Sequence, residues 1–565
     1  MSYDKKIYDN GTPTLHKQYL NETFDAAGHL TRLTYNIPEH FNFAYDVIDV
    51  LGRTCPEKRA MLHLSNDLEE HTYTFADIAS ESDKTAAMLA EHGVKRGDRV
   101  MLILKRHFEF WPSILACHKL GAAVIPATNQ LAAKDILYRF KAAGVSAVLC
   151  TADGDIADHV EAAANDYDQP LLKILVHGDR PGWVSYTEAQ QNAPAFVPPA
   201  DRNENSDTML IYFTSGTSGM PKMVMHDFTY PIGHIATAKY WHHVSGEGMH
   251  FTISDTGWGK AVWGKLYGQW FMETAIFVYD FDRFHPDAVL SAIQKYDVTT
   301  FCAPPTMFRF FIKEDLSKYD LSTLRHVTIA GEALNPEVYE QFRRATGLSL
   351  YEGFGQTETT LTVFNAYDMT PRPGSMGVPS PAYDVDIVDE AGNPTIPGVT
   401  GEIVLRLPES GKPAGLFKGY YLDDALTAEA CRNGLYHTGD TAWRDEDGYF
   451  WYVGRVDDVI KSSGYRIGPF EVESVLMEHP AVLECAVTPA PDPIRGQVVK
   501  ATIVLARGYL ASDSLADEIK AYVKSHTAPY KYPRIIEFVE DLPKTISGKI
   551  RRNEIRDRDR QRMQP

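Results

Sequence analysis

The stretch Met209-Leu-Ile-Tyr-Phe-Thr-Ser-Gly-Thr-Ser-Gly-Met-Pro-Lys222 sets five apolar residues directly against a segment of glycine, serine and threonine that closes on a cation. A short apolar run bounded by turn residues reads as a buried strand. The segment behind it, Thr214 to Lys222, is suited to anions: its glycines let backbone N–H groups converge on phosphate oxygens, its hydroxyls add donors, and Lys222 supplies charge. It is not a Walker A loop, which needs glycine before the lysine and Ser or Thr after it; here Pro221 precedes Lys222 and Met223 follows. A mobile Ser/Gly turn is the bland alternative, and the strand running straight into so ordered a loop argues for polyphosphate binding.

Outward from this strand the same rhythm repeats. From Arg99 the chain reads VMLIL, an amphipathic helix from about Phe108 to Leu120, AAVIPA, a helix from Lys134, then SAVLC. AIFVY (275–279), VTTFCA (298–303) and HVTIAG (326–331) continue it. Alternation of strand and helix predicts an α/β fold with a doubly wound, mostly parallel sheet. Between Tyr383 and Leu407 the pattern becomes alternating strand broken by Gly/Pro turns, which predicts a smaller β-rich unit. Past Arg455 to Lys461 the expected order is a helix (Phe470 to Glu478), strands around Ala486 and from Val498 to Leu505, and a helix from Leu515 to Ser525, a compact α+β pattern. The expected division is 1–455 for the large N-terminal domain and 456–565 for a smaller C-terminal one. The final Arg-Asp-Arg-Asp-Arg-Gln-Arg-Met-Gln-Pro reads as a solvated charged end.

A chain of 565 residues exceeds one ordinary core, so several packed units are expected. Lys and Arg number 56 against 75 Asp and Glu, a net charge of −19 spread along the chain, which argues against nucleic acid and anionic membranes as partners. A phosphate-bearing substrate then requires a local cationic pocket. Cys55, Cys117, Cys150, Cys302, Cys431 and Cys485 form no CxxC pair and no close Cys/His cluster of the zinc type, so they read as reduced thiols. The first twenty residues lack an apolar signal region, and the best apolar run, Ile114 to Ala127, is broken by His118 and Lys119. These features predict no stable membrane insertion and a cytoplasmic protein.

The TSGTSGMPK string resembles the phosphate loop of the adenylate-forming superfamily of acyl-CoA synthetases, luciferases and peptide-synthetase adenylation domains. Further stations of that family follow in order: Gly331-Glu-Ala, Tyr351-Glu-Gly-Phe-Gly-Gln-Thr-Glu358, Tyr436-His-Thr-Gly-Asp440, Gly454-Arg-Val-Asp-Asp-Val-Ile-Lys-Ser-Ser-Gly-Tyr-Arg466 and Pro543-Lys-Thr-Ile-Ser-Gly-Lys549. The resemblance spans about residues 40 to 552 and is nearest to the medium-chain acyl-CoA synthetase branch. It implies an AMP-forming acid–CoA ligase using ATP, Mg²⁺ and coenzyme A on a short- or medium-chain, branched or aromatic carboxylic acid, and it leaves room for a homo-oligomer.

In such a reaction a carboxylate attacks an α-phosphate that is already negative, so the site has to neutralise both anions and the departing pyrophosphate. The resemblance makes Glu358 the Mg²⁺ ligand, Thr357 the α-phosphate ligand and Lys549 the cation bridging carboxylate and α-phosphate. Thr214, Ser215, Gly216, Thr217, Ser218, Gly219 and Lys222 form the phosphate loop. Gly331, Glu332, Glu352, Gly353, Gly355 and Gln356 join the nucleotide set, with Phe354 stacked on adenine, Asp440 on the ribose hydroxyls and Arg455 on the nucleotide at the domain boundary. Taken singly, Phe354 reads as core packing, Asp440 as a turn residue and Lys549 as a solvated tail lysine; their joint order raises the roles.

The family's second half-reaction rotates a mobile C-terminal domain, and Asp457 matches its hinge. Arg466 matches a cation that replaces Lys549 near the adenylate. Ser463, Gly464 and Tyr465 are implied to line the coenzyme A tunnel, with Arg106, Arg495 and Arg534 near its phosphates. Family acetyl-CoA synthetases carry Trp where this chain has Gly355, which implies room for several more carbons, each contributing roughly 0.8 kcal/mol when buried. Trp258 is implied as a gate beside the acid, whereas Trp263 and Trp270 read as core. Regulation by acylation of Lys549 is a further family expectation.

Rival readings are transfer to a carrier protein, oxidation of the luciferase type and a non-catalytic acyl-nucleotide sensor. Asp513-Ser514-Leu515 superficially resembles a phosphopantetheine attachment site, but it precedes a predicted helix, where a serine serves as a cap. Retention of Lys549, Glu358 and Asp440 argues against a silent sensor.

Overall fold

Apolar runs of four to seven residues, too short for stable helices, pair into sheets, and the amphipathic segments between them cover the sheet faces. The computed structural model describes residues 14–26, 28, 30–214, 220–409, 411–462, 465–492, 495–544 and 550–563. Strand Ala147–Thr151 is buried at every position, as a parallel strand covered on both faces should be. The helices Phe110–Leu120 and Ala133–Ala143 that flank the neighbouring strands end on Gly121 and Gly144, both in the left-handed region at φ 69° and 64°.

An eight-stranded sheet holds Arg99–Ile103, Ala123–Pro126, Ala147–Thr151 and Leu172–Val176 in parallel. Thr208–Thr214 joins the edge of that set in parallel with Ala123–Pro126 and then turns back antiparallel into Lys222–Asp227. A second sheet of thirteen strands has a parallel centre made of Arg59–Leu64, Ala275–Tyr279, Met249–Thr252, Thr300–Ala303, His326–Ile329 and Leu350–Gly355.

The segment expected as a small β-rich unit is hydrogen-bonded onto this second sheet. Leu361–Phe364 and Ser375–Pro379 carry the ladder antiparallel into Phe450–Arg455, Leu435–Arg444, Gly401–Arg406 and Asp384–Val388. Antiparallel pairing needs no crossover helix, so the sheet extends through tight Gly/Pro turns. Trp270 is fully buried and donates to Ala60 O at 3.1 Å, which fits its reading as core.

A five-stranded sheet follows, built on the long pair Val482–Asp492 and Gly496–Leu505, with Ile535–Val539 parallel to the latter. Helices Pro469–Glu478 and Asp513–His526 cover it around Ile460, Val472, Leu476, Ile503 and Ile519. Two local expectations change. The cap of the second helix is Ser512, whose Oγ accepts from Leu515 N at 3.2 Å, while Ser514 lies inside the first turn.

The charged end forms a helix, Arg552–Met563, that is docked along one face while Asp557, Arg558, Arg560 and Arg562 remain exposed. Ile555 is buried, Arg552 grips Glu473 through two oxygens at 2.8 and 2.7 Å, and Arg556 reaches Asp458 at 2.6 Å. Its alternating charges find opposite partners on the neighbouring elements, which the composition of the segment alone does not disclose.

Candidate active site

The phosphate-loop flanks are fixed by a hairpin. Thr214 and Lys222 are direct partners across the antiparallel pair, so the five residues Ser215, Gly216, Thr217, Ser218 and Gly219, which lie outside the described residues, are spanned by neighbouring strand ends. A strand follows rather than a helix, so no helix dipole adds to anion binding, and charge comes from Lys222. Its ammonium stands 5.3 Å over the Tyr420 ring.

Tyr420 OH donates to Glu358 Oε1 at 2.9 Å. Glu358 is partly exposed on the wall while its carboxyl is screened from water; desolvation pushes the carboxyl above the usual range, against the opposing pull of Tyr420, Lys222 and Arg455. Thr357 beside it has its carbonyl held by His226 Nε2 at 2.7 Å, and burial drives that imidazole down to about 3, leaving it neutral.

Strand Leu350–Gly355 carries the aromatic station. Phe354 faces the ring of Tyr452 at 6.4 Å. Glu352, two residues earlier, is buried with Oε2 lacking a hydrogen-bond partner, and desolvation pushes its carboxyl up to about 8. That is a carboxylic acid protonated at neutral pH. Gly331 takes φ 106°, a value only glycine holds without strain, and Glu332 accepts from Thr306 Oγ1 at 2.7 Å.

Asp440 is gripped on both oxygens: Tyr452 OH donates to Oδ1 at 3.0 Å, while Gln356 Nε2 and Arg455 Nη1 donate to Oδ2, the latter at 3.2 Å. Tyr436 OH in turn fixes Gln356 through Oε1 at 2.7 Å. The station GFGQTE and the station YHTGD, far apart in sequence, thus share one hydrogen-bonded net.

These residues face one cavity of about 1700 Å³. Its walls include Thr214, Lys222, Gly331, Glu332, Glu352 through Glu358, Asp440, Arg455 and Asp457. The opposite wall comes from Pro469, Phe470, Glu473 and the helix at Arg551, Arg552 and Arg558, with Arg309 and Arg432 adding cations. The volume exceeds the roughly 300–1,000 Å³ of a single small-ligand pocket and suits more than one substrate. Cations thus stand on the walls of a −19 chain, but interspersed with carboxylates such as Glu332, Glu402 and Asp458, and Arg455 and Arg552 are paired with Asp440 and Glu473, so Lys222 is the cation beside the phosphate loop.

Several expected residues stand elsewhere. Trp258, Arg106, Tyr465, Arg495 and Arg534 are not among the cavity walls. Tyr465 is half exposed and stacks on Tyr530 at 4.1 Å. Arg534 Nη1 donates to Tyr532 OH at 3.1 Å, and the Arg495 backbone donates to Asp492 Oδ1 at 2.8 Å. Arg106 is held against Asp255, Asp280 and the Phe281 ring. Arg466 lies on the short strand Tyr465–Ile467. Ser463, Gly464 and Lys549 lie outside the described residues.

At Gly355 the geometry changes the argument. A Cβ there would stand 2.6 Å from Thr360 O and 2.7 Å from the Trp263 ring. The room expected beside this glycine is thus bounded by the tip of an indole on another element. Asp457 sits in the turn between Phe450–Arg455 and Ile460–Ser462, where Arg556 donates to its carbonyl at 2.8 Å. Sequence reasoning missed Tyr420 and Tyr452, while Trp263 is buried as its core reading expects, with its ring tip against Gly355. Tyr436 opened a quoted motif, but Tyr420 had no signal beyond an unremarked Gly-Tyr-Tyr.

The model of the family described as AMP-binding enzyme matches residues 50–421, and that of the AMP-binding enzyme C-terminal domain matches 471–549. The chain is 43% identical over 534 residues to the mitochondrial acyl-coenzyme A synthetase ACSM3 of Mus musculus, covering 92% of this chain and 91% of the relative. Among solved structures it resembles an acyl-CoA synthetase of Brucella canis (TM-score 0.70, 32% identity, 94% of this chain and 96% of the other). It also resembles the anthranilate CoA ligase AuaEII in complex with anthranoyl-AMP (TM-score 0.84, 27% identity, 93% and 98%). The expectation of a cytoplasmic location is overturned: the mouse relative and its human and rat counterparts are mitochondrial proteins. Lack of an apolar signal region separates secreted from unsecreted chains and does not distinguish one interior compartment from another. Among the described residues no helix is long and apolar enough to cross a membrane.

Proposed function

The chain belongs to the AMP-forming acyl-CoA synthetases of the medium-chain type, ligases that use ATP, coenzyme A and a carboxylic acid, and on that premise we propose a division of labour within its cleft and an acid larger than acetate. The observation that carries the division of labour is the pair of nets on one cavity, Lys222–Tyr420–Glu358 on one side and Gln356–Asp440–Tyr452–Arg455 on the other. The acid's size is supported by the likeness to ACSM3 rather than by the geometry at Gly355.

In the first half-reaction the substrate carboxylate attacks the α-phosphorus, and the bond to the β-phosphate oxygen breaks, giving acyl-AMP and pyrophosphate. Lys222 and the loop Thr214 to Gly219 hold the phosphates, Lys549 neutralises the attacking carboxylate and α-phosphate, and Thr357 donates to the latter. Asp440, with Oδ1 and Oδ2 oriented by Tyr452 and Arg455, accepts the ribose hydroxyls, and Phe354 stacks on adenine. Glu358 fits a Mg²⁺ ion, since one oriented carboxylate together with substrate phosphates is the usual protein share of such a site. Bound there, Mg²⁺ would supply charge neutralisation to the leaving pyrophosphate.

In the second half-reaction the pantetheine sulfur attacks the acyl carbon, the carbon–oxygen bond to AMP breaks, and the thiol proton is lost. Two domains divided after Arg455, turning about Asp457, would exchange Lys549 for Arg466 and bring Ser463, Gly464, Tyr465, Arg495 and Arg534 towards coenzyme A, with Arg106 on the larger domain. The Trp263 ring would bound the acyl group beside Gly355, with Trp258 as the gate next to it. A second reading, an aromatic acid, is favoured by the likeness to the anthranilate ligase complex.

The test is coenzyme A-dependent AMP formation with acetate, butyrate, a branched short acid, octanoate and benzoate. The expected result is a preference for butyrate or larger acids; high activity on acetate alone would overturn it.

A further inference from the structure

Away from the cleft, the carboxyl ends of three adjacent parallel strands of the eight-stranded sheet bring together His107, Asp153 and His177. Each offers one ligand atom, and the three atoms lie within 4.8 Å of one another. His107 Nδ1 is 2.7 Å from Asp280 Oδ2, on the far side, and Nε2 faces Thr151 Oγ1 at 2.8 Å beside Asp153, a hydroxyl partner that a bound ion would displace. That nitrogen stands 3.4 Å from Asp153 Oδ2, matching the edge of a tetrahedron whose metal–ligand bonds are about 2.0–2.1 Å. A carboxylate behind a metal-binding imidazole fixes its tautomer and raises its basicity. Glu109 Oε1 faces the second imidazole, 3.0 Å from His177 Nε2.

The surroundings are short of positive charge. Among the described residues, Asp153, Asp255, Asp280 and Asp282 have ion pairs with Lys105 and Arg106 as fixed cations, Glu109 pairs with His177, and the nearby Lys265 ammonium is driven down to about 7, chiefly by burial. Asp280 is 2% exposed on its side chain, yet its Oδ1 accepts no hydrogen bond, and Glu109 Oε2 is likewise buried without a partner. Unpartnered buried carboxylate oxygens are costly unless a cation compensates them. Lys105 reaches Asp153 at 2.8 Å and Asp282 at 2.7 Å, so Asp282 can keep the ammonium when Asp153 turns elsewhere. His177 and Lys105 both hold left-handed backbone, φ 62° and 48°, which costs energy in a non-glycine residue; Lys105 is buried there and His177 half exposed.

We propose that His107 Nε2, the Asp153 carboxylate and the His177 imidazole bind one Zn²⁺ ion, with Asp280 as the buttress behind His107. Two imidazoles and a carboxylate suit a borderline cation such as Zn²⁺ or Co²⁺ rather than Mg²⁺. The ligands stand on the eight-stranded sheet and the buttress follows strand Ala275–Tyr279 of the thirteen-stranded one, so the ion clasps the two sheets together.

The experiment uses the full chain, stripped with a chelator and desalted, and titrated with Zn²⁺ against a chelating dye and with Co²⁺ by visible absorption. One equivalent should bind with a tetrahedral Co²⁺ spectrum and a rise in thermal midpoint. His177→Ala, at a half-exposed side chain, and Asp153→Asn should weaken binding by at least about tenfold, and Asp280→Asn by about tenfold, the usual cost of losing a buttress. His71→Ala, at an exposed histidine elsewhere, should change nothing. Equal stoichiometry and affinity in wild type, His177→Ala and Asp153→Asn would mean adventitious surface binding and would overturn the site. Absence of the tetrahedral spectrum in a chain that still melts cooperatively would overturn it too.

Discussion

The cleft and the cluster at His107 are built from the same kinds of side chain and use them in opposite ways. In the cleft, tyrosine hydroxyls orient the two nucleotide-facing carboxylates, Glu358 by Tyr420 and Asp440 by Tyr452, with Arg455 sharing only the second oxygen of Asp440, and Lys222 stands over a tyrosine ring rather than against a carboxylate. In the cluster, Lys105, Arg106 and His107 lie directly against Asp153, Asp280 and Asp282. A neutral hydroxyl fixes a carboxylate without consuming its charge, whereas an ammonium fixes and neutralises it at once. The first arrangement serves a charged substrate that comes and goes. The second serves the fold.

If that contrast is right, substitutions in the cleft change rates and substitutions in the cluster change stability. The largest effect is expected for Lys549→Ala, which should slow adenylate formation by roughly 10²–10³-fold, as loss of one oriented charge-stabilising donor does. Supplied acyl-AMP should still be converted to thioester at near wild-type rate. Equal loss in both half-reactions would break the assignment.

Tyr420→Phe keeps the ring under Lys222 and removes only the hydrogen bond to Glu358. Hydrogen bonds to charged groups contribute about 1.5–3 kcal/mol, so a rate loss of about tenfold or more is expected, with little change in melting. The pH profile carries a sign. Burial raises the Glu358 pKa and Tyr420 lowers it, so the variant should need higher pH to ionise, and its acid limb should move upward.

For Lys105→Met the expectation reverses: a stability loss of about 1–3 kcal/mol in denaturant unfolding, because Asp153 and Asp282 lose their shared cation, with pyrophosphate release from ATP unchanged. A lowered rate at unchanged stability would erase the distinction between the regions.

The smallest effect tests Glu352. Its folded carboxyl titrates at about 8, above the usual value, so the native state binds a proton that the unfolded chain releases. Stability is therefore full below about pH 4.5 and declines as pH rises towards 8. Glu352→Gln should melt like wild type at acid pH and a few degrees higher at pH 8, measured by calorimetry.

The contrast also explains what was legible in the sequence. The cleft is assembled from contiguous stations, each a strand end followed by glycine and polar residues, and such stretches announce themselves. The eight-stranded sheet was readable for the same reason: strands such as Ala147–Thr151 and helices such as Ala133–Ala143 carry their own periodicity. Tyr420 was not readable, because a lone tyrosine acquires meaning only when an antiparallel pairing sets Gly419–Tyr420 beside Lys222–Asp227. His107, Asp153 and His177 come from three strand ends with long helices between them, and no spacing rule connects them. The docked helix at Arg552 was hidden differently, since its partners Glu473 and Asp458 belong to elements that precede it by most of a domain.

The contact at Gly355 limits how this chain could diversify. Any side chain there meets the Thr360 carbonyl, part of the backbone, as well as the Trp263 ring. A single substitution at Gly355 is therefore a poor evolutionary route to a new acid preference, because it demands a backbone shift before it offers a benefit. Trimming Trp263 creates room without moving the backbone, although it gives up buried packing and the hydrogen bond to Tyr230 OH. Variation among descendants of this sequence should accumulate at the indole while the glycine stays fixed, making position 355 a record of ancestry and position 263 a record of diet.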